Sequence, residues 1–183
     1  SDTFYTGNKG LRIVHGKPGS NSVYFLQGTV LKEVDLTTLV ATDTGVKFGT
    51  FLRNTAWVEV PNDPELPGLS LVTVQFGGAV SFINLETKKV KSIKYPIVGN
   101  PIPIQTLEKA NNGKLYMSGY PGGTASSYDP STGVTESFTL GQAEGMAAIG
   151  DKMYFGVYPS AVMYELDTTK PLSDTSGLKK IYD

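Results

Sequence analysis

Two short stretches of the chain decide its expected fold: GKLYMSGYP at residues 113–121 and DKMYFGVYP at residues 151–159. Aligned without a gap, they match lysine to lysine and tyrosine to tyrosine at a constant offset of 38 residues. The matched pairs are Lys114 with Lys152, Tyr116 with Tyr154, and Tyr120 with Tyr158. Self-similarity at a fixed offset indicates a chain built from structural repeats.

A second, looser signal extends the repeat over most of the chain. An alternating run ends in a polar turn four times, at EVDLTT (33–38), INLET (83–87), SYDPSTG (127–133) and ELDTTK (165–170). The turn residues Asp35, Asn84, Asp129 and Asp167 are separated by 49, 45 and 38 residues. A period of about 40 to 50 residues that holds four short strands is typical of a β-propeller blade.

The strand pattern predicts an all-β protein, a single β-propeller domain or part-domain with four blades, each of four antiparallel strands. Expected blade boundaries are about 9–50, 51–99, 100–141 and 142–183. The expected strands are 11–15, 22–26, 31–35 and 44–48; 53–60, 70–76, 79–85 and 90–97; 102–109, 114–120, 125–129 and 134–140; and 145–149, 152–158, 162–167 and 178–183. No segment keeps helical apolar spacing between its turns, so almost no helix is expected. The chain begins just before a first strand and ends with a fourth strand, and no disulfide is present to close a small ring of four. We therefore expect these blades to be part of a ring of about six to eight, completed by a second chain or a missing segment.

Charge and composition exclude several function classes. The chain has 16 Lys and Arg against 17 Asp and Glu, so it lacks the positive charge that supplies most nucleic-acid affinity. The chain has no cysteine, which excludes disulfides and thiolate metal sites. Its single histidine, His15, excludes metal sites with several histidines. Without a long apolar run, no membrane span is expected. The glycine motifs that bind phosphate are missing too, as is the Gly-x-Ser-x-Gly motif.

The turn YDPSTG at residues 128–133 resembles the blade turn of kelch-like and quinoprotein-like propellers. Over residues 113–183 the chain is similar to secreted bacterial and fungal propellers among carbohydrate-active proteins and, more distantly, to seven-bladed polysaccharide lyases such as the rhamnose–glucuronate lyases. The resemblance implies an extracellular propeller with a carbohydrate ligand, and polysaccharide lyase activity on a uronate-containing glycan. Two alternatives stay open. One is a non-catalytic propeller that binds a glycan or a protein, and the other is a metal-dependent propeller of the lactonase or hydrolase type.

In propellers of this pattern, ligands commonly bind on the face that carries the turns between the second and third strands. Phe76, Tyr120 and Tyr158 end second strands at that face. Tyrosine rings can stack on sugar rings, and their hydroxyl groups can donate a hydrogen bond or transfer a proton. The alternative is that each ring packs against the neighbouring blade.

Elimination from a uronic acid needs a cation for the carboxylate, a base for the α-proton and an acid for the leaving oxygen. We expect Arg53, Tyr120 and Tyr158 to supply these three groups. The alternative for Arg53 is a structural ion pair with a carboxylate. His15 ends an expected inner strand just before the turn at residues 16–19, which places it on the opposite face.

Three polar residues join Phe76 as expected substrate-binding residues. These are Gln105, expected in an inner strand, and Gln142 and Glu144, expected in the connection that enters the fourth blade. The connections that enter the second and third blades place Thr50 and Asn100 on the same face. Side-chain amides and carboxylates at these positions suit sugar hydroxyls.

Two charged clusters leave alternatives open. The lysines of the last strand of the second blade could bind an acidic polysaccharide or protect an exposed sheet edge; they are Lys88, Lys89, Lys91 and Lys94. The segment NDPE at 62–65 could offer oxygen ligands to Ca²⁺ or simply form a turn. The sequence therefore requires no cofactor but allows Ca²⁺. A metal-dependent hydrolase would draw on Glu59, Glu108 and Glu144, the carboxylates expected on inner strands.

Overall fold

Fifteen β-strands make up four antiparallel sheets in a computed structural model that describes residues 14–48, 54–74, 78–94, 104–121 and 123–183. Blade 1 contains β1 (Ser22–Gln27), β2 (Val30–Asp35) and β3 (Ala41–Lys47), and blade 2 contains β4 (Asn54–Glu59), β5 (Leu69–Val74), β6 (Ala79–Ile83) and β7 (Val90–Lys94). Blade 3 contains β8 (Ile104–Lys109), β9 (Leu115–Gly119), β10 (Thr124–Asp129) and β11 (Val134–Thr139). Blade 4 contains β12 (Gln142–Ile149), β13 (Lys152–Tyr158), β14 (Val162–Asp167) and β15 (Leu178–Tyr182). In each blade the strands pair in chain order.

This arrangement confirms the expected all-β class and the four-bladed pattern. Among the described residues the one helical element is a short 3₁₀ turn, Thr175–Gly177. The expected strand 11–15 lies largely outside the described residues. No helix in the described ranges is long and apolar enough to cross a membrane.

The four polar turn residues terminate equivalent strands by the same local chemistry. The Oδ1 atoms of Asp35 and Asn84 accept hydrogen bonds from the backbone amides two and three residues later. Asp129 and Asp167 accept one from the amide two residues later, at 2.8 and 3.1 Å. An acceptor that satisfies the amides of a tight turn ends one strand and begins the next. These bonds explain why the turn signal recurs once per blade.

The hydrophobic core is divided among the boundaries between blades. Between blades 1 and 2 it contains Tyr24, Leu31, Val46, Phe48, Trp57, Leu71 and Ile83, and between blades 2 and 3 it contains Val58, Val72, Phe82, Ile104, Leu107 and Met117. Between blades 3 and 4 it contains Tyr116, Ala125, Met153, Phe155 and Val157. The strand β8 lies against both β4 and β12, so these three strands are the inner strands of their blades. Each blade is therefore stabilised mainly by its neighbours.

One expected connection is part of a strand instead. β12 begins at Gln142 rather than at Gly145, so Gln142 and Glu144 are strand residues. The register shifts between Ala143 and Gly145, and this irregularity lets Gln142 pair with Tyr158 at the end of β13. An inserted residue in one strand re-aims its neighbours while pairing continues on both sides.

Candidate functional site

Two tyrosines mark the end of the sheets where the second and third strands of each blade are joined. Tyr120 follows β9 and Tyr158 ends β13, so they occupy equivalent positions in adjacent blades. Tyr120 is 41% exposed and Tyr158 is 62% exposed, whereas Tyr116, which lies in β9 four residues before Tyr120, is buried. Core packing therefore accounts for Tyr116 but leaves a substantial part of Tyr120 and most of Tyr158 in solvent.

The structure brings three of the expected site residues together on blade 4. Gln142 lies directly opposite Tyr158 in the sheet, and its side-chain amide donates a hydrogen bond to the Glu144 carboxylate. Glu144 and Tyr158 line one open hollow of about 480 Å³. Its other lining residues are Gly145, Gly156, Val157, Pro159 and Ala161. This group combines an aromatic ring, a phenol, an amide and a carboxylate at one edge.

The other residues expected at this face are Arg53, Phe76 and Gln105, with Thr50 and Asn100 in the connections between blades. Arg53 and Phe76 lie outside the described residues, as do Thr50 and Asn100. Gln105 lies in β8, the inner strand of blade 3.

His15 has a structural role at the boundary between blades 1 and 2. Its backbone N–H donates to Thr55 Oγ1 at 3.1 Å, and its ring Nδ1 lies 3.0 Å from the same oxygen. The indole N–H of Trp57 donates to the His15 carbonyl at 2.7 Å. The residue precedes the turn into β1, at the opposite end of the sheet from the β1–β2 turn.

Two of the lysines at the last strand of blade 2, Lys89 and Lys91, form a local ionic cluster with Asp63 and Glu65. Lys91 Nζ lies 2.6 Å from Asp63 Oδ2 and 2.7 Å from Glu65 Oε2, and Lys89 lies 3.5 Å from Glu65. Hydrogen bonds from Lys91 hold the pKa of both carboxyl groups below their ordinary values, and they raise the pKa of Lys91. The cluster ties the β4–β5 loop to β7. The carboxylates that could have served Ca²⁺ in this segment are thus bonded to an ammonium group.

The carboxylates on the inner strands are dispersed. Glu108 accepts a hydrogen bond from the Lys109 amide, and Glu144 accepts one from Gln142. Across the described ranges, no three histidine, aspartate or glutamate side chains come together as a metal-binding group.

A second cavity, which no motif of the sequence predicts, lies at the other end of the sheets. It has a volume of about 370 Å³ between blades 2 and 3, and Glu59, Lys109, Asn111 and Asp129 are among its lining residues. Ser131 also lines it, and the Asn62 side chain joins blade 2 to blade 3 there by donating to the Ser131 carbonyl at 2.5 Å. Since this cavity depends on contacts between residues 69 positions apart, no local sequence signal indicates it.

Comparison with known proteins identifies the architecture. No protein-family model matches the chain, and no curated protein matches it. Among solved structures, it superposes on virginiamycin B lyase from Staphylococcus aureus with a TM-score of 0.63 and 12% identity, covering 95% of this chain and 55% of that one. The Cps50 (Swd1) β-propeller domain of Myceliophteria thermophila matches at 0.65 and 12%, covering 100% and 59%. The extracellular domain of BT4673 from B. thetaiotaomicron matches at 0.67 and 10%, covering 93% and 23%.

The chain has a β-propeller fold. At identities of 10 to 12%, the structural likeness shows the fold and not the function. The three proteins also differ in the roles that their names describe. The chain spans 23 to 59% of the length of these propeller structures.

Proposed function

We propose that this chain belongs to an extracellular carbohydrate-binding propeller, with Tyr120 and Tyr158 as the sugar-stacking residues. The observation that carries the proposal is the exposure of both rings, 41% and 62%, at repeat-equivalent positions on one end of adjacent blades. Tyr116 of β9, by contrast, is buried in the core between blades 3 and 4, so packing does not leave every tyrosine of these strands exposed.

The chemistry of the surrounding residues suits a sugar. An aromatic face provides a flat apolar surface that a sugar ring can cover, and the phenol provides a donor and an acceptor at its edge. Gln142 and Glu144 lie next to Tyr158 and add amide and carboxylate groups for sugar hydroxyls. Pockets that orient ligands typically combine an apolar surface with a few placed polar groups.

Elimination from a uronate-containing glycan is a second candidate function, favoured by the phenol of Tyr158 and the carboxylate of Glu144 in one hollow. In that reaction Arg53 would neutralise the uronate carboxylate. One tyrosine, as phenolate, would take the proton from the carbon beside the carboxylate, and the other would protonate the departing glycosidic oxygen. The C–O bond breaks as the C–C double bond forms, so the product is an unsaturated uronate.

Titration calorimetry with oligogalacturonate and with a neutral xylo-oligosaccharide tests the binding proposal. We expect Tyr120→Ala and Tyr158→Ala to weaken binding by about tenfold or more, since each removes a stacking surface worth at least about 1.4 kcal/mol. Tyr182→Ala is the matched control, because Tyr182 is also 62% exposed but lies on the outermost strand β15. Equal affinities for all four proteins, or no binding by the wild type, would overturn the proposal.

The ultraviolet absorbance of an unsaturated uronate, followed during incubation with acidic polysaccharides, tests the lyase candidate separately. Parallel reactions with added Ca²⁺ and with a chelator determine whether Ca²⁺ takes part. Binding without a rise in absorbance would leave a binding propeller and exclude elimination on those substrates.

A further inference from the structure

Blade 4 has one covered face and one open face. Met153, Phe155 and Val157 of β13 point towards blade 3 and are buried in the core they share with it. The alternate residues, Tyr154 and Gly156, point to the opposite side. Across β12, β13 and β14, the register places them in two rows on that open face: Gly145, Gly156 and Met163 in one, and Ala147, Tyr154 and Glu165 in the other.

Blade 3 has the same two rows, and blade 4 covers them. The register pairs Thr106, Ser118 and Ala125 in one row, and Glu108, Tyr116 and Ser127 in the other. Of these six residues, all but Glu108 are buried. On blade 4, Met163 is 39% exposed at the position where Ala125 of blade 3 is fully buried. The open face of blade 4 is thus the repeat equivalent of an interface that already exists one blade earlier.

The interface between blades 3 and 4 shows how a following blade is attached. Ser118 Oγ donates to the Gly141 carbonyl at 3.3 Å and accepts from the Ala143 amide at 3.0 Å. Thr106 Oγ1 donates to the Ala143 carbonyl at 3.4 Å. Two hydroxyl groups of one blade therefore bind the backbone that enters the next inner strand.

Glycine replaces both hydroxyl residues on blade 4. Gly145 and Gly156 lie directly opposite each other and line the hollow described above. A Cβ at either position would meet no atom within 4 Å, and neither backbone has the positive φ that favours glycine. Glycine inside a strand commonly marks a place where another group approaches closely. Nothing among the described residues accounts for this pair, so its space suits a side chain from outside them.

We propose that the open face of blade 4 binds a fifth four-stranded blade of the same polypeptide, which seats a side chain in the hollow over Gly145 and Gly156. β15 ends beside Met163, at the end of the sheet where residues 140–143 cross from blade 3 into β12. The propeller structures that this chain matches also extend well beyond the share that it covers.

Cysteine labelling tests this assignment directly, because the chain contains no cysteine of its own. The experiment uses the full-length protein that contains these residues and compares it with the chain ending at Asp183. The reporter is Ala147→Cys on the open face. Ala41→Cys is the matched control, since Ala41 is also an exposed alanine in a strand, and Ala125→Cys is the buried reference.

In the full-length monomer, we expect maleimide to label position 147 about tenfold or more slowly than position 41, because labelling then requires local opening. In the chain ending at Asp183, both positions should react at similar rates and position 125 should stay protected. Met163→Cys reports on the same face if Ala147→Cys does not fold. Equal labelling in the full-length protein would overturn the proposal. So would protection that appears only when native mass spectrometry shows a doubled mass, since that result assigns the face to a second copy.

Discussion

The rings of Tyr24 and Trp57 meet across the boundary between blades 1 and 2, with 5.4 Å between their centroids and a tilt of 57°. Trp57 also donates its indole N–H to the His15 carbonyl, so it joins β4 to two segments of the first blade. Both side chains are buried. Because the chain has a single tryptophan, its fluorescence reports on this boundary.

Tyr24→Ala should lower the free energy of unfolding by about 3 kcal/mol, since it removes a buried aromatic ring and leaves a cavity. Tryptophan emission should shift to longer wavelength as water reaches Trp57. Tyr24→Phe is the matched control, because it keeps the ring and removes only the hydroxyl group, whose hydrogen bond to Glu33 is worth about 1 kcal/mol or less. Urea unfolding followed by fluorescence measures both. An unshifted emission in Tyr24→Ala would contradict the assigned contact.

Asp129→Ala should destabilise the protein by about 1 kcal/mol, because it removes the acceptor for the Ser131 amide in the β10–β11 turn. Asp129→Asn should have a smaller effect, since Asn84 performs the same task in blade 2 with a side-chain amide oxygen. Urea unfolding midpoints check both variants. Glycan affinity should be unchanged in each, and a loss of affinity at unchanged stability would indicate a ligand role for Asp129 instead.

Acid should destabilise the fold partly through the ionic cluster of blade 2. Hydrogen bonds from Lys91 lower the pKa of Asp63 and Glu65, so the unfolded chain binds protons more readily than the folded one. The stabilisation is present above the ordinary carboxyl pKa of about 4 and is lost as the pH falls through the lower folded values. Lys91→Met should therefore reduce the difference in urea midpoint between about pH 6 and about pH 3. Lys179→Met, at an exposed lysine of β15, is the control and should leave that difference unchanged.

Gly156→Ala should stabilise the chain ending at Asp183 by about 0.5 kcal/mol, because alanine reduces the freedom of the unfolded chain and its Cβ meets nothing in the fold. In a protein with a fifth blade, the same methyl group would intrude on the occupied hollow and destabilise. Gly141→Ala is the contrasting control. Its backbone has φ +100° and its Cβ would lie 2.7 Å from Val157 Cγ1, so it should destabilise by more than about 1 kcal/mol. Thermal unfolding of both chain lengths measures the signs.

Tyr120→Phe and Tyr158→Phe separate binding from elimination. Each keeps the stacking ring and removes only the hydroxyl, so a binding propeller should keep its glycan affinity within about twofold. A lyase should lose turnover with little change in affinity. Steady-state kinetics and calorimetry on the same variants distinguish the two. A large loss of affinity in either phenylalanine variant would show that the hydroxyl, rather than the ring, recognises the sugar.

The sheets and turns were predictable because their causes are local. Alternation along the chain defines a strand, and Asp129 closes its turn with an amide two residues away. The start of β12 was not predictable, since Gln142 becomes a strand residue only by pairing with Tyr158 across a register shift. The ion pair of Lys91 was not predictable either, since its partner Asp63 lies 28 residues earlier in the chain and reaches it only in the folded structure.

The sequence by itself determined the all-β class, the four repeats and the turns. It also determined that Tyr120 and Tyr158 are equivalent positions of the repeat. Each of these follows from periodicity or from contacts within a few residues. Only the tertiary structure decided which tyrosines face solvent. Tyr116 and Tyr154 occupy the same position in the repeat, yet Tyr116 is buried because blade 4 lies over it, and Tyr154 lies on the open face. Burial depends on what packs against a side chain, and in a propeller that neighbour is another blade.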